Sequence, residues 1–336
     1  MRTFLAILAV SLLMGACGSG PSKTSSPAPS AASSAAPSAA TSSTLPATPQ
    51  YVVETGADKL VLRIADEGGF IAPGYLLTTV PQFAMYGDGR VIVPGPLVTV
   101  FPGPLLPDLR QLQVTPTETQ KILAAADAAG LLGPNASYIQ PNVSDASTTV
   151  FTTNVAGTTH IIGAYALGLG GGFGNETDAP ARAKLEEFRT MMMNLASFLG
   201  RTVSDAEAYA PTAMRVFVAA AQAPAPGDST QRIVTWPLTA DPSTAQATAV
   251  AEVRCLVVSG ADLAAFQSVA RNANQLTVWV APSGRYVASA RPLYPDESGC
   301  PATTAGSLFG GCSLKLVCGW LGPRETSPLL PPLVAE

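Results

Sequence analysis

The chain has 336 residues, only 12% of them charged, with a formal net charge of −4 and a single histidine. No basic stripe runs through it, so nucleic acid and anionic headgroups are poor partners for its surface. Past residue 17 every long apolar stretch is interrupted by Pro, Gly or a charge, which excludes an ordinary membrane-spanning helix.

The N-terminus reads as an export address. Met1-Arg2 supplies a positive start, and residues 3–16, TFLAILAVSLLMGA, are nearly all apolar. A charged start, a short apolar run and small residues at the cut describe a secretory signal. The residues Leu13-Met14-Gly15-Ala16-Cys17 resemble the lipobox of bacterial lipoproteins, with Met14 where that family prefers Leu. The resemblance implies cleavage before Cys17 and acyl chains, palmitate among them, on that cysteine. Several chains on one residue anchor far better than one. Residues 18–50 are almost wholly Ser, Ala, Pro, Thr and Gly, with Lys23 the one charge. Such a segment has nothing to bury and is expected to be a disordered, partly extended tether. The expected location is the outer face of a cell membrane.

Beyond the tether, residues 58–65 (DKLVLRIA) alternate as a half-buried strand does. Residues 82–93 form a hairpin about Gly87-Asp88-Gly89, which accept positive φ. Residues 112–114 make a short strand. Thr115, Pro116 and Glu118 then give a capping box with Pro at the first helical position. That helix is expected to stop at Gly130. Two strands, 148–155 and 158–167, flank Ala156-Gly157. A second helix over 180–199 carries Leu185, Phe188, Met192, Leu195 and Leu199 on one face and ends at Gly200.

The second half contains strands at 214–221, 232–238 and 252–259. A helix starts at Ser259 or Gly260, and a hairpin joins 276–281 to 285–291. Both halves therefore run strand, capped turn, helix, hairpin. Either two related units or a common local pattern produces such a parallel. The predicted class is α+β, mainly antiparallel hairpins with a few helices on one face. The expected divisions are 1–16, 17–50, an N-terminal unit 51–201, a C-terminal unit 202–301 and a tail 302–336.

Four segments, FAMYGDGRVI, the helix end AAGL, VTWPL and RPLYPDESGC, resemble those of uncharacterised secreted or lipid-anchored proteins of actinobacteria. The likeness covers roughly residues 58–300. It implies an extracytoplasmic location and brings no activity with it.

Four cysteines remain after Cys17. An even count in an exported chain points to disulfides. Three pairings exist; Cys255–Cys300 with Cys312–Cys318 is favoured, because Cys312 and Cys318 are close in the apolar GCSLKLVCGW. Zinc would need tighter paired spacing. A catalytic triad would have to use His160, which falls on a predicted strand. The run Gly168–Gly174 fails the dinucleotide spacing at Phe173 and lacks a following GK[ST]. Asn135, Asn142 and Asn175 match the glycosylation pattern, incidental behind a bacterial address. Trp236, Trp279 and Trp320 are expected in core rather than on a sugar platform. The acidic pairs are Asp66-Glu67, Glu186-Glu187 and Asp296-Glu297. No catalytic residue, metal site or cofactor is predicted. The expected role is non-catalytic, binding an envelope ligand or protein partner and no nucleic acid. The alternative is a hydrolase of wall polymer using two carboxylates, and a third reading is a sensor that presents its domain to a transmembrane partner.

Overall fold

The computed structural model describes residues 50–96, 99–169, 177–201, 206–222 and 231–301. In chain order these form β1 (Leu60–Gly68), α1 (Pro73–Leu76), β2 (Phe83–Tyr86), β3 (Arg90–Pro94), β4 (Leu109–Gln113), α2 (Pro116–Ala128), β5 (Ala136–Tyr138), β6 (Ser147–Val155) and β7 (Thr158–Tyr165). Then come α3 (Ala179–Met193), α4 (Leu195–Leu199), β8 (Glu207–Ala208), β9 (Ala213–Ala220), β10 (Ile233–Thr235), a 3-10 turn (Pro242–Thr244), β11 (Gln246–Ala247), β12 (Arg254–Ser259), α5 (Gly260–Ala270), β13 (Val278–Ala281) and β14 (Gly284–Pro292). The class is α+β, with two mostly antiparallel sheets. Cys17, Cys312, Cys318, Asn175, Trp320 and the end of the glycine run lie outside the described residues.

The first sheet has the order β5-β7-β6-β1-β2-β3-β4-β8. Strand alternation sends Ile64, Phe83, Met85 and Phe151 to one face, where Ile122, Leu123 and Ala126 of α2 and Leu185, Phe188 and Met192 of α3 cover them. A bulge between Leu60 and Leu62 lets both Val61 and Leu62 join that core. α2 starts as its sequence dictates. The Thr115 hydroxyl accepts from the Glu118 amide, and the Glu118 carboxylate accepts from the Thr115 amide. Its end is fastened to the chain's entry point: the Tyr51 amide donates to Gln120 and the Tyr51 hydroxyl to Asp127.

The second helix departs from expectation. It breaks at Asn194, which has φ −114° and donates its side-chain amide to the Thr190 carbonyl. An Asn side chain that takes a backbone carbonyl competes with the helix ladder. The hairpin glycines also divide their roles. Gly89 has φ 83°, as the turn requires, while Gly87 is needed for space: a Cβ there would lie 2.0 Å from the Glu54 carbonyl oxygen. The strand β8 pairs with β4 and so belongs to the first sheet, although it falls beyond the expected division at 201.

The second sheet has the order β10-β13-β14-β9-β12-β11. Met214, Val216 and Val218 face Leu263, Phe266 and Ala270 of α5. Trp236, Phe266 and Trp279 meet ring to ring, with centroids 5.6–6.1 Å apart. Each sheet carries one short parallel edge strand, β5 on β7 and β10 on β13. The hairpins enter their sheets in opposite senses. In the first sheet the leading strand, β6, joins β1; in the second the trailing strand, β14, joins β9. The connectivities of the two halves therefore differ, and their sequence parallel is local.

The halves trade residues. From the loop between β3 and β4, Leu105 enters the second core, its amide donating to the Ala273 carbonyl. From the chain after β14, Tyr294 enters the outer cluster of the first sheet with Ala84, Tyr86, Ile92 and Leu109. Burying such a side chain contributes about 2 kcal/mol.

Arg201, then the Thr115 amide, hold the Glu118 carboxyl at about 2, below its ordinary 4.5. A lowered carboxyl contributes stability above pH 4.5 that is lost as pH falls through about 2. Thermal melts of Glu118→Gln should therefore lie below wild type at neutral pH and converge with it in acid. Equal melts at neutral pH would show that the pair contributes nothing.

Candidate functional site

The segment after β14 brings together charged groups from both sheets. Asp296 receives two hydrogen bonds, 2.7 and 2.8 Å, from Arg63 on β1, and one of 2.8 Å from the Tyr86 hydroxyl on β2. Glu297 receives Arg291 of β14 at 2.8 and 2.9 Å, with Arg215 of β9 at 3.7 Å. Arg215 also donates to the carbonyls of Ser298 and Gly299. One acid thus grips the first sheet, and its neighbour grips the second. Burial pushes the Glu297 carboxyl up, but Arg291 and Arg215 outweigh it and hold the group below its usual range. Burial, then the charge of Asp296, drive the Tyr86 hydroxyl far above its usual range.

The clasp ends in the bond Cys255–Cys300, with an S–S distance of 2.01 Å and a sequence separation of 45. This is the pairing expected from the sequence. Leu77, just beyond α1, packs with Phe217 against it.

The other acids are placed as follows. Asp66 and Glu67 are neighbours on β1, so their side chains leave opposite faces of the sheet. Asp66 accepts from Thr149 and Gln82. Glu67 is half-buried; burial raises its carboxyl against the lowering pull of Arg63. Glu186 pairs with Arg189 one turn along α3. His160 is half-buried with Nδ1 2.8 Å from the Gly133 carbonyl. Asn135 accepts from the Ile161 amide through its side chain. Trp236 and Trp279 are core residues. Among the described residues no group of three or more His, Cys, Asp or Glu could hold a metal, and no helix is long and apolar enough to cross a membrane.

What the sequence did not announce is a cleft on the outer face of the second sheet. Phe217, Ala219, Val287 and Ser289 form its floor, paired across β9 and β14. Tyr75 and Thr78 make one wall, and Pro104, Leu105 and Gln275 the other. Its volume is about 320 Å³. The small Ala219 and Ser289 keep the floor low. The Gln275 side chain bonds the Gly103 amide, and its own amide bonds the Gly103 carbonyl, fixing the second wall. In the loops that carry these walls Tyr75 is 61% exposed, and Phe70, Val100 and Phe101, which do not line the cleft, are exposed at 86%, 56% and 78%. The available signal was apolar residues in Gly/Pro-rich loops, as in TVFPGPLLP, that belong to no strand.

Comparison with protein-family models, curated proteins and solved structures finds no match to this chain.

Two outcomes test the clasp. Glu297→Ala leaves Arg291 and Arg215 facing each other without a counter-charge and should cost about 3 kcal/mol in denaturant unfolding. Replacing Cys255 and Cys300 together by Ser should cost about 2–4 kcal/mol under oxidising conditions; a melting temperature equal to wild type would refute the staple.

Proposed function

We propose that this chain is a non-catalytic, lipid-anchored envelope protein that binds a ligand or protein partner outside the membrane through the cleft on its second sheet. The observation that carries the reading is the cleft itself: an apolar floor beside Tyr75, a large side chain that its wall holds 61% exposed at a free-energy cost. A cavity of this size lies within the range of ligand pockets, and no acid or base lines it. The Cys17 motif and the Ser/Ala/Pro run that follows support the address.

The carboxylate hydrolase is the weaker reading. It needs two acids facing one substrate. Asp296 and Glu297 are committed to arginines, and Asp66 and Glu67 point away from each other. Burial favours the neutral form of Glu67, against the pull of Arg63.

A photo-crosslinking amino acid at Val100, illuminated in intact cells, tests the binding reading. One discrete adduct is expected, lost when Tyr75 and Phe101 are both changed to Ala. No adduct, or one indifferent to those changes, would refute it. The same cells carrying Cys17→Ala should accumulate precursor or release the protein from membranes. Wall-lytic activity in the parent that disappears in Glu67→Gln would instead favour the hydrolase.

A further inference from the structure

The last described residues lie on the same face of the second sheet as the cleft. Alternate residues of a strand share a face, so Arg215, Phe217 and Ala219 of β9 form one row, paired with Arg291, Ser289 and Val287 of β14. Arg215 holds the carbonyls of Ser298 and Gly299 over the first of these positions. Cys300 is bonded to Cys255, whose partner across β12 and β9 is Phe217. Phe217 and Val253 pack in one cluster with Cys300, and both also line the cleft. Pro301 then accepts from the Gln246 side chain at 3.4 Å, on the edge strand β11. The chain thus leaves the fold from the rim of the cleft's own face.

The sequence that follows, 302–323, lies outside the described residues and carries one charge, Lys315. It holds Leu308, Phe309, Leu314, Leu316, Trp320 and Leu321 among Gly, Ser and Thr. No acid or base lines the cleft, whose apolar groups are mixed with the polar side chains of Tyr75, Thr78, Gln275 and Ser289. Such a lining suits a nearly uncharged peptide, whose amides and carbonyls meet the polar groups while its Leu or Phe side chains cover the floor. Attachment at the rim favours this occupant over a free one, because a segment on a short linker is presented at an effective concentration on the order of millimolar. From the exit point, the match in charge and this proximity, we infer that residues 302–321 dock in the cleft as an internal ligand, which an external partner must displace. This rests on the cleft reading and adds its regulation.

The test places p-benzoylphenylalanine at position 75, an aromatic for an aromatic on the cleft wall, in the purified full chain with no partner present. After illumination, digestion and mass spectrometry should find that position joined to a peptide within residues 302–321. The adduct should form within one chain, with a yield unchanged on tenfold dilution. The same label at Ile233, 55% exposed on β10, should not join that peptide. Phe309→Asp together with Leu316→Asp should lower the adduct at least fivefold, since a carboxylate is costly in an uncharged cleft. Absence of the adduct in a folded chain, joining between two chains, or a yield indifferent to the Asp substitutions would each overturn self-occupancy. The cellular adduct at Val100 reads the external partner separately. If it forms while the purified chain shows no internal adduct, the cleft reading stands and self-occupancy is refuted. If only the internal adduct forms, residues 302–321 occupy the cleft and the external partner is refuted.

Discussion

Two adjacent carboxylates hold this protein together. Asp296 and Glu297 are consecutive, yet one is taken by Arg63 of the first sheet and the other by Arg291 and Arg215 of the second. Neither pair is stabilising merely because it is ionic; desolvation offsets much of the attraction. Their importance is geometric. Together with the Tyr86 hydroxyl they fix where the chain after β14 crosses the first sheet, and so where Tyr294 is buried. The disulfide then ties the same segment to β12. The face beside that bond carries Leu77 and Phe217, and Phe217 is the floor of the cleft. The cleft is thus a by-product of the way the halves are fastened.

Much of this fold could be read along the chain. Alternation and turn chemistry located β1, the β2–β3 hairpin, the β6–β7 hairpin and β14, because their patterns are local. The capping box at Thr115 appears in full. The two-residue strands β8 and β11 and the four-residue α1 have no period to detect. The edge strands β5 and β10 pair in parallel with partners far along the chain, which no local pattern encodes. The helix break at Asn194 was hidden because the apolar spacing continues through it.

The site was less legible than the fold. The cysteine count with the expected export pointed to disulfides, and the closeness of Cys312 and Cys318 favoured Cys255–Cys300. The fate of Asp296 was not legible, because its arginine partner stands 233 residues away and leaves no local trace. The cleft is made of ordinary Phe, Val, Ala and Ser with two loops beside them, and only their arrangement makes it concave. The segments FAMYGDGRVI, AAGL, VTWPL and RPLYPDESGC fall on joints of the structure: the β2–β3 hairpin, the end of α2, the strand leading into Trp236, and the clasp. Those are positions where packing and turn geometry restrict the choice of residue.

The exchange of Leu105 for Tyr294 has a consequence for how the chain comes to its native state. A protein threaded through a membrane emerges N-terminus first. The first sheet would then stand complete in its strands while its outer cluster still waited for Tyr294, some two hundred residues behind Tyr86. Leu105 would meanwhile have no core to enter until α5 had formed. Contacts so distant in sequence slow folding, since loop closure must precede the gain from burial. Wherever the chain emerges N-terminus first, two half-finished surfaces would face the solvent, and a chain halted before residue 294 would keep them. Completion of the described fold is therefore coupled to arrival of β14 and the eight residues that follow it, through Cys300.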